Sequence, residues 1–200
     1  MCKYKLIIAI LFLPFFMLAQ NSWELKKNAN AIKIYTRTTS SSNIKEFKAT
    51  TEIDAPLDTI LNKLIIGPKY TKNCLPDINY FVEKINKNQS IYYSYKDLPW
   101  PAKDRDVVTL LTINRIDNKT VTLTLNGSPN HLPEKDKTIR VKNFTGHWIL
   151  KEDENQKTSV THELFLDPEG QIPSFIINTL LVNAPYKLFR DLHKTSQKPS

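Results

Sequence analysis

The feature that most constrains the fold is a run of short alternating segments that ends in one long helical pattern. Between residues 79 and 166, apolar and polar residues alternate with a period of two, and turn residues recur at short intervals. Residues 172–192 then carry an apolar residue at every fourth position, which is typical of an amphipathic helix. Because the sheet and the helix must bury their apolar faces together, the pattern predicts an α+β fold.

The strand pattern also shows which face of the sheet is apolar. Val121, Leu123 and Leu125 alternate with threonines, so these three side chains are expected to face the interior while the threonines face water. The predicted strands cover residues 31–38, 47–53, 80–85, 91–95, 106–113, 120–125, 139–150 and 158–166.

Residues 139–150 change their apolar phase partway along. Ile139 and Val141 share one register, whereas Phe144, Trp148 and Leu150 share the other. A β-bulge adds one residue to a strand and would reconcile the two registers, and a glycine within a strand often marks a bulge. We therefore predict one strand with a bulge at residues 143–146.

Two helices are predicted on either side of the meander. Asp54 is a suitable N-cap for a short helix with an apolar stripe over residues 60–65. The second helix covers residues 172–192, and Pro185 is expected to interrupt it because proline has no N–H to donate. A curved sheet that wraps around one helix leaves a concave apolar space, where small molecules bind.

Length and charge indicate one domain and argue against nucleic acid as a partner. The 200 residues include 28 Lys+Arg and 20 Asp+Glu, a formal net charge of +8, and the lysines are scattered rather than clustered. We assign the domain to residues 20–195, with a disordered tail at residues 196–200. A monomer is expected.

The first residues form an export signal. Lys3 and Lys5 precede an apolar run over residues 6–18, and the small residue Ala19 follows. The run is too short to span a membrane, so cleavage after residue 19 and a periplasmic or secreted location are predicted. Cys74 is then the only cysteine of the mature chain, and we interpret it as a small buried apolar residue.

Motifs for catalysis are absent from the sequence. It contains no glycine-rich nucleotide loop, no nucleophile elbow and no His-Glu-x-x-His zinc motif. The four histidines, at positions 131, 147, 162 and 193, lack the spacing of metal ligands, so no metal site is predicted. His162 and Glu163 are adjacent, but neighbours on a strand point to opposite faces of the sheet.

The loop and strand at residues 98–108 resemble a segment of START (StAR-related lipid transfer) domains. The sequence there is LPWPAKDRDVV, which is similar to the P-x-x-x-R-D-x-V pattern of that family. Weaker matches are GHWIL at residues 146–150, THE at residues 161–163 and DPEGQIP at residues 167–173. The resemblance covers roughly residues 23–193.

The resemblance implies a helix-grip fold, in which a curved antiparallel sheet wraps around a long C-terminal helix and a short helix lies near the N-terminus. It further implies a lipid-sized or sterol-sized cavity roofed by that helix, with no cofactor and usually no catalysis. The chain differs from the animal lipid-transfer members in its export signal. It also differs six positions after Arg105, where those members have a basic residue and this chain has Leu111.

Arg105 is the first candidate for a ligand contact. It shares a strand face with Val107 and Leu111, and a buried guanidinium must find an anion or several acceptors. One interpretation is that Arg105 binds a lipid head group or carboxylate at the polar end of the cavity. The alternative is a structural ion pair with Asp104 or Asp106, or with an acid elsewhere at the start of the strand.

His162 is the second candidate, since it is in phase with Val160, Leu164 and Leu166 and should point inward. It would either hydrogen-bond a ligand hydroxyl or be a core histidine satisfied by a neighbour. Trp100, between two prolines, is interpreted as bracing the loop before Arg105. The side chains predicted to contact a ligand are Arg105, His162, Tyr93, Leu123, Phe144, Trp148, Leu164, Phe175, Ile176 and Leu180.

These observations favour a protein that binds a lipid or sterol-like molecule without chemistry. The alternatives are a cyclase-like or hydratase-like enzyme that uses His162 or Glu163 as general acid or base, and an interaction module with a filled core. Lys187, Arg190 and Lys194 lie on one side of the last helix, so transient contact with an anionic membrane is a further hypothesis.

Overall fold

The computed structural model describes residues 22–38, 45–65, 78–170 and 172–196, and in this part of the chain ten strands form one curved sheet. The spatial order is β1-β2-β3-β10-β9-β7-β6-β5-β4, all antiparallel, and the short β8 pairs in parallel with β6. The strands are β1 (Glu24–Ala29), β2 (Ile32–Thr38), β3 (Lys45–Ile53), β4 (Ile78–Lys84), β5 (Gln89–Lys96), β6 (Asp104–Asp117), β7 (Thr120–Gly127), β8 (Thr138–Arg140), β9 (Phe144–Glu152) and β10 (Thr158–Leu166).

Helices cover the concave face of the sheet. The short helix α1 (Leu57–Ile65) follows β3, and the chain ends with α2 (Ser174–Asn178), a π-helical turn (Thr179–Asn183) and α3 (Ala184–Ser196). We call residues 174–196 the C-terminal helix. The predicted interruption at Pro185 takes the form of the π-helical turn directly before it, in which the Ala184 N–H bonds to the Thr179 carbonyl. The α+β helix-grip prediction is confirmed.

Two local predictions were wrong. The strand β1 was missed because its sequence ELKKNA is polar and mostly exposed, as suits an edge strand, and a tight turn with positive φ at Asn30 and Ala31 joins it to β2. The bulged strand over residues 139–150 is instead two strands, β8 and β9, which pair with different neighbours. The change of apolar phase therefore marks the boundary between two strands.

The main core fills one end of the space between the sheet and the helices. It joins buried residues of β2, β3, β7, β9 and β10 with α1 and α3, and Ile34, Leu150 and Phe189 are all 0% exposed. α3 contacts β2 and β3 as well as α1. The filled end thereby anchors the C-terminal helix to the sheet.

A second, smaller core on the opposite face of the sheet contains Tyr93, which was predicted to contact a ligand. Tyr93 packs with Ile91 and Val108, whereas its neighbour Tyr92 lies on the cavity side. The sequence IYYSYK places tyrosines on both faces of β5, so composition gave no sign of which one faces inward. The ligand-contact prediction for Tyr93 is corrected on this ground.

A buried ion pair closes this second core. Arg140 and Asp106 form two hydrogen bonds of 2.8 and 2.9 Å, and both side chains are 1% exposed. Arg140 also donates to the carbonyls of Pro129, Leu132 and Pro133, which hold the loop after β7 against the sheet. The pairing with Asp106 raises the pKa of the Arg140 guanidinium above its usual value.

Three remaining predictions concern the ends of the chain and Cys74. Residues 1–19 and Cys74 lie outside the described residues. The C-terminal helix continues through Ser196, so the predicted tail does not begin there, and residues 197–200 are outside the described part. Among the described helices, none combines the length and the apolar character that a membrane crossing requires.

Candidate functional site

A cavity of about 640 Å³ lies between the concave face of the sheet and the C-terminal helix. Its volume is in the middle of the range for small-molecule sites in proteins, about 300–1,000 Å³. Most of its wall is apolar. The predicted residues Leu123, Phe144, Trp148, Leu164 and Leu180 all line it.

The floor of the cavity consists of cross-strand rows of side chains. One row crosses β7, β9 and β10 as Leu125, Gly146 and Leu164, and the next as Leu123, Trp148 and His162. The leucines, Trp148 and His162 line the cavity. The following row, Val121, Leu150 and Val160, belongs to the filled core. The row with His162 is therefore the inner end of the cavity.

Gly146 lets the neighbouring leucines of its row approach each other closely across β9. A Cβ atom at this position would lie 2.8 Å from Leu164 Cδ1 and 3.0 Å from Leu125 Cδ1. Both contacts involve the ends of side chains that line the cavity. The glycine thus lets two leucines lie across β9, and the predicted bulge is not its reason.

The C-terminal helix forms the roof of the cavity, but partly different residues of the helix face the cavity from those predicted. Ile177, Leu181 and Leu188 line the cavity together with Leu180, but the predicted Phe175 and Ile176 do not. Phe175 is 59% exposed, and Ile176 is buried outside the cavity wall. The prediction assumed a constant spacing of four residues, which the wider π-helical turn interrupts.

Charged side chains gather at the other end of the cavity, where β10 leads into the turn at residues 167–170. Lys45, Lys96, Arg105 and Asp167 line this end. It lies beyond the last residue of β10, Leu166, so a strand segment of four residues, about 13 Å, separates it from His162. The cavity is therefore polar at one end and apolar along most of its length.

Arg105 binds the backbone of the turn that precedes the C-terminal helix. Its Nε donates to the Pro168 carbonyl at 3.0 Å and one terminal nitrogen donates to the Glu169 carbonyl at 2.8 Å, while the other terminal nitrogen donates to the Lys103 carbonyl. Burial lowers the pKa of the guanidinium, in part offset by the charge of Asp104. Arg105 thus ties the start of β6 to the turn before the roof.

The two acids considered as ion-pair partners of Arg105 bind elsewhere. Asp106 bonds to Arg140. Asp104 accepts from the Tyr95 hydroxyl at 2.6 Å and from the Leu98 N–H at 3.1 Å, and these bonds lower its pKa. The acceptors of Arg105 are backbone carbonyls, so its charge is not neutralised by a hydrogen-bonded carboxylate among the described residues.

His162 is held by aromatic rings at the inner end. Its imidazole stacks on Trp148 with ring centroids 3.8 Å apart, and Phe47 makes a T-shaped contact with it at a centroid distance of 5.1 Å. Neither ring nitrogen has a hydrogen-bond partner among the described residues, although both are buried. Burial lowers the pKa of His162 to about 3, with a smaller contribution from His147, so the ring is neutral.

Two energies decide whether His162 stays stacked on Trp148 or turns to a hydrogen-bond partner that enters the cavity. A buried polar group without a hydrogen bond costs about 1–3 kcal/mol, whereas an aromatic stack contributes about 0.5–1.5 kcal/mol. A hydrogen-bonding group that entered the cavity could therefore compensate for a weakened stack on Trp148. The core-histidine interpretation required a neighbouring partner, which the described residues do not provide.

The sequence reasoning missed part of the wall. Tyr92 lines the cavity, and its hydroxyl donates to the Ile65 carbonyl at 3.0 Å, which ties the end of α1 to β5. Its alternation with Tyr93 indicates that one of the two faces inward but not which one. The described residues contain no group of three or more His, Cys, Asp or Glu side chains that would hold a metal ion.

His162 predicts a specific dependence of stability on pH. Its pKa is about 3 when folded and about 6.5 when unfolded, so below pH 6.5 the unfolded chain binds the proton that the folded chain excludes. Between pH 7 and pH 5 the wild type should lose about 2 kcal/mol more unfolding free energy than His162→Phe. Urea unfolding at both pH values measures this, and equal losses would show that His162 is not buried and neutral.

Arg105 predicts a loss of stability when its donors are removed. Arg105→Leu leaves the carbonyls of Pro168 and Glu169 without their partner and should lower the free energy of unfolding by about 1–3 kcal/mol. Arg115→Leu is the matched control, because Arg115 lies on the same strand in a largely exposed pair with Asp58. If urea unfolding gave both variants the same stability, the carbonyl contacts would contribute nothing.

Comparison with known proteins finds relatives over nearly the whole chain. The START domain family model matches residues 16–200. An uncharacterized protein from Pseudomonas aeruginosa is 30% identical over 182 residues, which cover 88% of this chain and 87% of that protein. The phosphatidylcholine transfer protein of Rattus norvegicus is 27% identical over 179 residues, 88% of this chain and 84% of that protein.

Solved structures share the same architecture. A STAR-related lipid transfer protein fragment from Xanthomonas axonopodis has a TM-score of 0.77 at 24% identity, covering 88% of this chain and 99% of that chain. Human StAR-related lipid transfer protein 5 has a TM-score of 0.73 at 14% identity, covering 88% of this chain and 86% of that chain. At these identities the likeness shows the helix-grip fold.

Proposed function

This chain belongs to the START domain family, and we propose that it binds one lipid or sterol-like molecule in the cavity beneath its C-terminal helix. The observation that carries the proposal is the hollow half of an otherwise filled interior, about 640 Å³ with a predominantly apolar wall. An apolar cavity of this size lowers the free energy of an apolar ligand by removing its surface from water.

The relatives support a lipid as the class of ligand. Phosphatidylcholine transfer proteins from rat, cow, mouse and human match between 88% and 90% of this chain. We propose that the apolar part of the ligand lies along the leucine rows and that a head group meets Arg105 at the polar end. Arg105 contributes a positive charge there whose hydrogen-bonded acceptors are backbone carbonyls.

An enzymatic role finds less support than binding. A general acid or base needs a pKa near the working pH, but burial lowers the pKa of His162 to about 3. Glu163 is adjacent to His162 on β10 and therefore points to the opposite face of the sheet. We propose that the protein binds its ligand without altering it.

Access to the cavity is proposed to involve a membrane at the polar end. Trp100, in the loop before β6, is 90% exposed and so does not brace that loop, and Phe175, at the start of the C-terminal helix, is 59% exposed. Arg105 lies between these segments, because it bonds to Lys103 on one side and to Pro168 and Glu169 on the other. Exposed aromatic side chains beside a cavity end favour insertion into a bilayer interface.

Lipid pickup from vesicles tests this function. The full chain is incubated with vesicles of phosphatidylcholine, or of phosphatidylcholine with one part in about five of phosphatidylglycerol, each carrying a radiolabelled phosphatidylcholine. The wild type should acquire label, and the double variant Trp100→Ala/Phe175→Ala should slow pickup on the order of tenfold because less apolar surface enters the interface. Ile116→Ala, at an exposed apolar residue elsewhere, is the matched control.

The same assay measures the contribution of the basic residues of α3 to membrane contact separately from that of Trp100 and Phe175. Replacement of Lys187, Arg190 and Lys194 by Gln should slow pickup from the anionic vesicles more than from the neutral ones. Equal rates from both vesicle types in all variants would remove the membrane step. No acquisition of label by the wild type would contradict phosphatidylcholine binding.

Export remains a proposal that rests on the first residues. The basic start, the apolar run and Ala19 support removal of residues 1–19 and a periplasmic or secreted location. N-terminal sequencing of the protein recovered from its native host should begin at Gln20. A sequence that began at Met1 in exported material would contradict the proposal.

A further inference from the structure

We propose that His162 forms a second polar subsite, at the closed inner end of the cavity, where it hydrogen-bonds an uncharged hydroxyl or carbonyl oxygen of the ligand. The inference rests on the proposed function, because it assumes that a lipid enters the cavity. The inference specifies the chemistry of the part of the ligand that lies deepest in the cavity, which the proposed function leaves open.

The position of His162 makes this subsite distinct from the one at Arg105. The row of Leu123, Trp148 and His162 is the last that lines the cavity, and the filled core begins with Leu150 and Val160. Arg105 acts beyond the opposite end of β10, at the turn of residues 167–170. A ligand that extends along the floor therefore meets the charged group around Arg105 at one end and His162 at the other.

The surroundings of His162 require an uncharged partner. Its neighbours are Trp148, stacked on the ring, and Phe47, in a T-shaped contact, with Leu164 two residues along the same strand face. No ion pair involves His162 among the described residues, and its neutral ring supplies no positive charge. A phosphate or carboxylate here would be a buried charge without a counter-charge, which is strongly unfavourable.

The chemistry of a neutral imidazole defines what it binds. One ring nitrogen donates a hydrogen bond and the other accepts one. A hydroxyl group meets either nitrogen, whereas a carbonyl oxygen meets only the N–H. Neither nitrogen has a hydrogen-bond partner among the described residues. A bare hydrocarbon end of a ligand would leave both nitrogens in that unpaired condition.

The ligand reaches the nitrogens by a local movement of the ring. Both nitrogens are covered where the imidazole lies flat on Trp148 with an interplanar angle of 8°. Rotation of the imidazole about its Cβ–Cγ bond turns a nitrogen toward the cavity and gives up part of that stack. Trp148 keeps its second aromatic contact, with Phe189 at 5.7 Å, so the inner end stays closed during the movement.

A pair of probes that differ in one hydroxyl group tests the subsite. Radiolabelled 1-octadecanol and octadecane are presented separately in phosphatidylcholine vesicles to the full chain, and the apparent dissociation constant of each is measured. The ratio of the two constants is compared between variants, so that the different partitioning of the probes into the vesicles cancels. His162→Phe keeps an aromatic ring but has no nitrogen.

The expected result is a selective loss. His162→Phe should weaken octadecanol binding about fivefold to tenfold and leave octadecane binding unchanged, in keeping with the loss of one hydrogen bond. His162→Gln, which retains a donor and an acceptor, should restore part of the preference. Leu164→Met, a change in the neighbouring row, should alter the apparent dissociation constants of both probes by the same factor and serves as the control for cavity shape.

The outcomes distinguish the subsite from the proposed function. If His162→Phe changes both probes equally, or neither, His162 is a packing residue and the subsite is wrong while lipid binding stands. If the wild type binds neither probe, binding of single-chain lipids in the cavity fails and the subsite fails with it. Thermal unfolding checks that each variant is folded, and His162→Leu gives the same comparison if the phenylalanine variant does not fold.

Discussion

The stacking of Phe189 on Trp148 holds the C-terminal helix where the filled part of the interior meets the cavity, because Trp148 belongs to the main core and also lines the cavity. Phe189 is fully buried in α3, and its ring centroid lies 5.7 Å from that of Trp148 on β9. On one side of this contact, α1 and the rows from Val121 onward complete the core. On the other side, the same helix continues over leucine rows that it does not reach, and the cavity results.

This division lets one fold combine stability with an interior space. The filled half supplies the buried apolar area that holds the helix against the sheet, so the other half does not have to be packed. The far end of the helix is fixed differently, by the bonds of Arg105 to the turn at residues 167–170. Packing fixes one end of the roof, and hydrogen bonds to the turn before it fix the other.

Much of this arrangement could be predicted from the sequence, because alternation along a strand is a local property. The inward direction of Leu123, Trp148, His162 and Leu164 followed from period-two patterns in β7, β9 and β10. The positions of Tyr93 and Ile176 did not, for two different reasons. In β5, tyrosines occupy both faces, and in the C-terminal helix the π-helical turn changes the residue spacing without a sign in the apolar pattern.

The roles of the polar residues depended on contacts between distant parts of the chain. Arg105 was expected to meet either a ligand or a nearby acid, and it binds carbonyls more than 60 residues away. Its neighbour Asp106 pairs with Arg140, 34 residues along the chain. Such pairings depend on how loops return to the sheet, which no local pattern encodes. The sequence identified the residues that matter here but not their partners.

Native mass spectrometry after exposure to lipid vesicles tests the central claim, that the hollow half holds one lipid molecule. The full chain should carry an added mass equal to one lipid, which organic extraction removes. Leu125→Trp, which fills the cavity from its floor, should lose the adduct, whereas Ile116→Trp at an exposed position should keep it. A wild-type chain that carries no lipid, or an adduct that survives in Leu125→Trp, would contradict the account.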